Sequence, residues 1–460
     1  MTGRVTSKSA ILFSICMAHF LNPFMMSAVG VALPVMGREF SASALQLGLV
    51  ETTFMLSMAI FLLAMGRLGD IHGRRKIFQL GLLFFAFAGG LISQATSIEM
   101  VIALRFFQGL GGAMVNATTM AILVSAFEPY ERGKALGIAI ASVYAGISCG
   151  PFIGGFLVEL LGWRSLFYLM VPLGLLTWLV TRIKIREEWA GSKGEPFDWT
   201  GALVYAPSIL LLVYGVTHLK EGGWIWTLLL LANLGLLLFI WIERRAPYPM
   251  LNVRLLFENR IFALSNLAAL FNYAATFGVT FFLSLYLQFV KGMGPHQAGT
   301  ILIAQPVVQT LLSPLCGRLS DRIPASYIAT LGMGSCAAGL VVAANLSAAS
   351  SLPQVVALLV FLGLGFALFS SPNVSMIMGS VESRYLGVAS GLNASMRSLG
   401  MLTSMTIITL IFSYLMKGQQ VTLETQAAFL TSMRTALLIF CGLCVVGIGC
   451  SLGRVKRKKT

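Results

Sequence analysis

Long apolar segments separated by short polar stretches run through almost the whole chain. A helix needs about 20 mostly apolar residues to span a bilayer. Applied to this chain, that length predicts fourteen spanning segments, near residues 10–36, 45–66, 77–96, 99–126, 135–160, 164–182, 199–219, 224–242, 261–290, 296–316, 326–347, 353–379, 386–416 and 431–453. Backbone groups in lipid must be satisfied within the protein, so the pattern predicts an all-α integral membrane protein.

Short clusters of cations between these segments predict which side each loop faces. With both termini in the cytoplasm, 24 of the 32 Lys and Arg residues fall on that side and six on the other, while Arg105 and Arg397 lie within segments. One segment more or fewer would move the later clusters to the wrong face. We therefore expect a multi-pass protein of the inner cell membrane with cytoplasmic termini.

Composition excludes several other classes. Hydrophobic residues make up 57% of the chain and charged residues 11%, whereas soluble domains carry about 25% charged residues. The net charge of +15 is spread over the loops instead of forming one nucleic-acid patch. The seven cysteines are scattered through apolar segments, and no nucleotide loop, metal pair or catalytic triad is present. We expect no enzyme activity, cofactor, metal or nucleic-acid partner, and a monomer is compatible with the sequence.

A charged loop at residues 66–76 follows the second segment and reads G-R-L-G-D-I-H-G-R-R-K. It resembles the signature loop G-x-L-x-D-x-x-G-R-[RK] of the major facilitator superfamily, although Ile71 replaces the usual basic residue. A related stretch, G-R-L-S-D-R, begins at Gly317, after the second segment of a second group of six. We call residues 66–76 the latch loop.

The repeat predicts two six-helix bundles with a helix pair inserted between them. The expected divisions are 1–182 for the first bundle, 183–260 for the inserted pair with its linkers, and 261–460 for the second bundle with a basic tail. Two related bundles around a midplane cavity are typical of secondary transporters. The resemblance likewise implies the major facilitator fold.

Further motifs narrow the resemblance to one branch of the superfamily. Residues 105–111 fit the fourth-helix motif R-x-x-Q-G-x-G, and residues 197–201, F-D-W-T-G, resemble the fourteen-helix drug:proton antiporter branch. The fifth-helix motif associated with antiporters is matched by Gly137, Gly146, Gly150, Pro151, Gly154 and Gly155. The branch typically carries an aspartate in the first helix where this chain has Asn22, which cannot titrate.

Glu51 is the only acid that lies well inside a predicted segment, and Arg105 lies at a similar depth. A charge inside a span costs about 2.5–3.5 kcal/mol on insertion scales, so each one needs a reason. Alternation between a place beside Arg105 and a desolvated place would let Glu51 bind and release a proton. A fixed structural ion pair, or a Glu51 that reaches the outer interface, is the alternative.

Three polar side chains are candidates for the substrate cavity: Asn22, Gln108 and Arg397. Small residues recur at helical spacing around Arg397, which suits either a cavity wall or close helix packing. The glycine motif forms one stripe on the fifth segment. We expect that stripe to pack at the seam between the two halves, and ordinary helix packing is the alternative.

The latch loop is expected to hold the two halves together when the inner side is closed. Its candidate residues are Gly66, Asp70, Gly73, Arg74 and Arg75, with Asp321 in the repeated loop. Asp70 would accept hydrogen bonds from the N-terminus of the thirteenth segment, near Tyr385, where a helix favours an anion. Arg74 or Arg75 would pair with Glu128 or Glu131. A purely topogenic cation cluster is the alternative.

Together these features favour a proton-coupled exporter of amphipathic organic compounds, with small-molecule substrate, protons and the lipid bilayer as its partners. Arg105 and Arg397 favour neutral or anionic substrates over dications. An uptake symporter or uniporter would have the same fold. A transport-inactive membrane sensor or accessory protein is the alternative from another class.

Overall fold

The computed structural model of the protein describes residues 7–42, 44–217, 222–251, 253–293, 295–411, 414–415 and 426–454. All regular secondary structure in these ranges is helical. The α-helices are α1 Lys8–Phe40, α2 Ala44–His72, α3 Arg74–Ile92, α4 Ile98–Ala126, α5 Pro129–Leu161, α6 Arg164–Lys184, α7 Trp199–Thr217, α8 Trp224–Glu243, α9 Val253–Glu258, α10 Arg260–Leu285, α11 Pro295–Leu302, α12 Ala304–Arg322, α13 Ala325–Ala344, α14 Leu352–Gly379, α15 Leu386–Ile411 and α16 Gln426–Leu452. A π-helical turn, Tyr286–Val290, continues α10, and a 3₁₀ turn, Ser383–Tyr385, precedes α15.

The all-α membrane class is confirmed, and each of the fourteen predicted segments coincides with a helix. Among the described residues, twelve helices are long and apolar enough to cross a membrane, with α11 and α12 forming one span, Gln297–Arg322. The two remaining segments are α7, whose apolar part is the shorter Trp199–Gly215, and α15, which contains Arg397 and several serines. Spanning by these two helices stays a prediction.

The chain forms two compact units. The first comprises Met1–Asn259 with Met378–Ser395, and the second comprises Arg260–Ile377 with Met396–Thr460. In the first unit, α1 packs on α5, α4 packs on α2 and α3, and the pair α7–α8 adjoins α2. In the second unit, α16 packs on α10 and α13. The division at 1–182, 183–260 and 261–460 stays a prediction.

Each unit has an apolar core built from helix faces. In the first unit, Phe24, Phe54, Trp163 and Phe167 belong to one fully buried cluster. In the second, Phe369 packs with Met333 and buried alanines. Large side chains such as Phe152 and Leu203 are exposed on the outer faces. This distribution suits helices whose outer faces contact lipid.

The glycine stripe of α5 lies against α1, inside the first unit. A Cβ atom on Gly150 would come within 2.5 Å of Ser27 Cβ, and one on Gly154 within 2.7 Å of Ala28 Cβ. A Cβ atom on Gly146 would likewise collide with the backbone oxygen of Phe20. Within the first unit the smooth face of α5 at these three glycines therefore receives α1, as the alternative of ordinary helix packing expects, while a role at the seam between the halves stays a prediction. Gly137 is buried and Gly155 partly buried, whereas the side chain of Pro151 lies outside the described part.

Replacing Gly150 with valine is expected to destabilise the first unit by about 1–3 kcal/mol, since the added isopropyl group overpacks the contact with Ser27. The measurement is unfolding of the purified protein in detergent. Phe152→Val, on the exposed face of the same helix, is the control and should unfold like wild type. Equal stability of Gly150→Val and wild type would contradict the packing described here.

Candidate functional site

Glu51 and Arg105 lie near each other in the first unit but do not form a direct ion pair within the described residues. The Arg105 side chain is fully buried, and Nε donates to Val50 O at 3.1 Å. Its guanidinium carbon lies 4.2 Å from the ring centroid of Phe54, a cation–π distance. Its interaction with Glu51 is coulombic. Glu51, on α2, is half-buried, and its Oε1 would lie 3.3 Å from a Cβ atom on Gly30 of α1.

Two predicted cavity residues extend this buried polar group. Arg105 Nη1 donates to Gln108 Oε1 at 2.7 Å, one helical turn along α4. Gln108 Nε2 and Asn22 Oδ1 are buried without a hydrogen-bond partner among the described residues. Asn22 Nδ2 would lie 3.1 Å from a Cβ atom on Gly112 of α4. Buried amide atoms without partners are uncommon and call for an explanation, such as a bound molecule or water.

Two predicted residues, Arg397 and Asp321, lie in the second unit. Arg397 is half-buried on α15, and Asp321 is exposed near the end of α12. Their proposed roles in the cavity and in the latch stay predictions.

Asp70 is fully buried near the end of α2 and accepts hydrogen bonds from the first turn of α15. Its Oδ1 accepts from Gly387 N and its Oδ2 from Val388 N, both at 3.0 Å. A carboxylate at this position interacts favourably with the positive end of the helix dipole. Gly66 permits the approach, because a Cβ atom there would lie 2.5 Å from Gly387 O. The geometry is that expected for a latch, whose function stays a prediction.

The expected pairing of Arg74 or Arg75 with Glu128 or Glu131 is wrong within the described residues. Arg74 instead pairs with Asp70, with Nη2 2.7 Å from Oδ1, and it also donates to Ser125 Oγ and to Ser383 O. Asp70 is only four residues earlier, across the turn at Gly73 that joins α2 to α3, so it is the nearer acid. Glu131 forms an ion pair with Lys8 instead, with Nζ 2.6 Å from Oε2. Arg75 Nη1 donates to Arg186 O at 2.8 Å.

Residues 185–198, here called the linker, connect α6 to α7 and cover the latch loop. The first N–H groups of α3 lack acceptors in their own helix. The linker supplies acceptors for two of them. Arg74 N donates to Trp189 O at 2.8 Å and Arg75 N to Glu188 Oε1 at 2.9 Å. Burial raises the pKa of Glu188, while hydrogen bonds from the Arg75 and Lys76 backbone oppose that rise. Sequence reasoning missed this contact, because its members are more than a hundred positions apart.

Gly73 joins α2 to α3 with a φ of 114°, a conformation that L-residues with a side chain rarely adopt. Any side chain there would also collide with the carboxyl of Glu188. Ser192 N donates to Asp70 O at 2.9 Å, and Arg67 Nη2 pairs with Glu195 Oε2 at 2.5 Å. The latch loop thus contacts α15 on one side and the linker on the other.

Two carboxyl groups lie close together at one end of the pair α7–α8, a feature that their positions at helix ends did not predict. A Cβ atom on Gly201 would lie 2.5 Å from Glu243 Oε1 and 2.8 Å from Asp198 Oδ2. Both oxygens are buried without a hydrogen-bond donor among the described residues. The other oxygens are used: Asp198 Oδ1 accepts from Gly201 N and Glu243 Oε2 from Leu251 N. Two carboxyl groups that interact through space at a buried place favour a proton, or another donor, on one of them.

Comparisons with known proteins agree with the fold. The sequence model of the Major Facilitator Superfamily matches residues 15–244 and 265–460. The chain therefore belongs to this superfamily and is a multi-pass membrane transporter. It is 28% identical to the riboflavin transporter RibZ of Clostridioides difficile over 96% of both chains. It is 32% identical to the multidrug resistance protein Stp of Mycobacterium tuberculosis, covering 81% of this chain and 70% of Stp.

Two further similarities widen this picture. The tetracenomycin C resistance and export protein of Streptomyces glaucescens is 28% identical over 81% of this chain and 70% of its own length. The crystal structure of the human organic anion transporter MFSD10 matches with a TM-score of 0.68 at 12% identity, covering 98% of this chain and all of that one. The latter similarity concerns the fold alone.

Asp70→Asn is expected to destabilise the protein by about 3–5 kcal/mol, because it leaves Arg74 buried without an anion. The measurement is a double-mutant cycle with Arg74→Met on reversible unfolding in mixed micelles. The double variant should be more stable than the sum of the single losses implies, by about 1–3 kcal/mol. Strict additivity would show that the buried pair is not energetically coupled.

Glu243→Gln is expected to stabilise the protein at neutral pH by about 1 kcal/mol, since the new amide N–H can donate to Asp198 Oδ2. Glu243→Ala, which removes the acceptor for Leu251 N, should destabilise it. The unfolding midpoint of the two variants and wild type is the measurement. A destabilised Glu243→Gln protein would mean that the two carboxyl groups do not face each other without a donor.

Proposed function

We propose that this transporter is a proton-coupled antiporter that exports amphipathic organic compounds across the inner membrane, with both termini in the cytoplasm. The observation that carries the proposal is the half-buried Glu51 beside a fully buried Arg105 that has no direct ion pair among the described residues. An acid within a membrane segment is a default candidate for proton transfer. Among the described residues, Asp70 also lies beside a buried cation, Arg74, but at the end of α2 and in a direct ion pair.

Glu51 is proposed to exchange its proton as its surroundings alternate. In the described arrangement, Arg105 is held by Val50 O and Gln108, so its charge acts on Glu51 through space. A shift of α2 relative to α4 that brought the two side chains into contact would favour the carboxylate and release the proton. Desolvation away from Arg105 would favour proton uptake.

The same group of residues suits an organic substrate. Gln108 Nε2 offers an unused donor and Asn22 Oδ1 an unused acceptor, so hydrogen bonds to a neutral or anionic compound are available once the site opens. Methionine and phenylalanine near it, Met58 and Phe54, provide adaptable apolar contacts. We therefore expect uncharged or anionic substrates with an apolar body.

Export is favoured over uptake by the fifth-helix glycine motif and by the similarity to Stp and to the tetracenomycin C exporter. In this proposal the latch holds the inner side closed through Asp70, and it opens when the first turn of α15 separates from the latch loop. The bonds to Gly387 N and Val388 N would form only in the closed state.

Uptake of a small organic solute is the second candidate, since the chain is similar over nearly its whole length to a transporter named for such a solute, riboflavin, without a stated direction. Both functions use the same fold, so the direction of flux decides between them. In proteoliposomes, the pH difference is set so that protons flow toward the side that corresponds to the cytoplasm. An antiporter then moves substrate in the direction opposite to the proton flow. A symporter moves it along that flow.

Glu51→Gln is expected to reduce pH-driven accumulation of a transported compound at least about tenfold, because an amide cannot exchange the proton. Substrate counterflow without a pH gradient should persist. The measurement is uptake into everted vesicles over a panel of amphipathic compounds, with and without a protonophore. Glu159→Gln, an exposed acid on α5, is the matched control and should transport normally.

Full pH-driven transport by Glu51→Gln would remove this residue from the coupling mechanism. Wild-type accumulation that persists undiminished with the protonophore would overturn proton coupling itself. Loss of counterflow as well as accumulation would assign Glu51 a structural role.

A further inference from the structure

A cavity of about 780 Å³, lined largely by charged and polar residues, lies beside the latch loop in the first unit. Its walls come from the end of α2, the start of α3, the end of α6 and the linker. It lies apart from Glu51 and Arg105, which do not line it. The proposed transport cycle uses the latch loop on its wall but gives the cavity itself no role.

Cations outnumber acids on the cavity wall, with Arg75, Lys76, Arg182 and Lys193 against Glu188 and Glu195. Glu195 pairs with Arg67, and the Glu188 carboxylate accepts from Arg75 N and interacts through space with Arg75 and Lys76. The side chains of three lining cations have neither an ion pair nor a hydrogen bond within the ranges that the structure describes: Lys76, Arg182 and Lys193.

Two hydrogen-bond donors on the same wall, the Gln79 amide and Arg75 Nε, also lack acceptors among the described residues. Gln79 is only 9% exposed, and its Nε2 has no hydrogen-bond partner among the described residues. Arg75 Nε is likewise buried without an acceptor. Such orphan donors are uncommon in proteins. Every unsatisfied group we identify on this wall is therefore a donor or a cation, so the missing partner is an acceptor with negative charge.

We propose that this cavity binds a phosphate-bearing anion. Phosphate offers several charged acceptor oxygens, which match ammonium groups and the planar guanidinium of arginine. The cavity is much larger than a phosphate ion alone, so it suits an anionic phospholipid head group or a soluble phosphorylated compound. Helix ends rich in Lys and Arg at the bilayer surface are known to attract anionic head groups.

A bound anion would fasten the linker to the helix ends. Lys193 lies on the linker, Lys76 on α3 and Arg182 on α6, so one ligand that touches all three joins separate elements. The linker in turn hydrogen-bonds to the latch loop through Ser192 N and Trp189 O. The site would thus regulate the latch. It does not depend on the direction of transport or on Glu51.

The test uses the purified full-length protein in phosphatidylcholine nanodiscs and follows its thermal unfolding midpoint. One series titrates inorganic pyrophosphate at constant ionic strength, and the other replaces part of the lipid with phosphatidylglycerol. We expect at least one series to raise the midpoint of wild type. Each single change, Lys76→Gln, Arg182→Gln or Lys193→Gln, should weaken apparent affinity about fivefold, and the triple variant should not respond.

Two further variants keep the result decisive if the triple variant folds poorly. Lys184→Gln removes an exposed cation at the end of α6 that does not line the cavity, and it should respond like wild type. Gln79→Leu removes an orphan donor without changing charge, so it should be at least as stable as wild type without ligand yet respond more weakly.

A response to pyrophosphate alone identifies a soluble ligand, a response to phosphatidylglycerol alone identifies a lipid, and a response to both supports the shared chemistry. Absence of any response in wild type would overturn the site. A loss in Lys184→Gln as large as that in Lys193→Gln would also overturn it, because the effect would then reflect diffuse surface charge.

Discussion

The end of the first unit that carries the latch loop depends on one buried carboxylate. Asp70 receives hydrogen bonds from Gly387 N, Val388 N and the Arg74 side chain, all within 3.0 Å. In a nonpolar environment such charge-assisted bonds are strong, and an unpaired member is correspondingly unfavourable. Separation of α15 from α2 therefore requires water or new partners for three groups at once. The contact is therefore suited to a helix pair that switches between two discrete arrangements, one closed and one separated.

Local backbone geometry makes this arrangement possible. Gly66 and Gly387 bring two helices to backbone distance, and Gly73 turns the chain so that α3 starts beside Asp70. Larger residues at these places would separate the carboxylate from its donors. The glycines of the latch loop and those of α5 share one property, which is close approach, although they serve different helix pairs.

The sequence predicted elements and chemical types better than partners. Helix positions followed from the length of the apolar segments. The anion site at the start of α15 followed from the helix dipole, and Asp70 occupies that site by accepting a hydrogen bond from Gly387 N. Pairing was harder: Arg74 had several acids within reach of its loop, and only packing decides that Asp70 is the nearest. The stripe on α5 showed a smooth face without showing that α1 occupies it. Burial of Glu243 beside Asp198 was hidden because both lie at helix ends, where acids are usually exposed.

The origin of the capping groups on α3 has a consequence for the ancestry of such chains. Its opening amides are satisfied by Glu188 and Trp189, which belong to the connection between α6 and α7. A relative in which this connection were shortened or removed would expose these amides unless another segment replaced the lost acceptors. Changes in the length of the connection are thus expected to occur together with compensating changes near the start of α3.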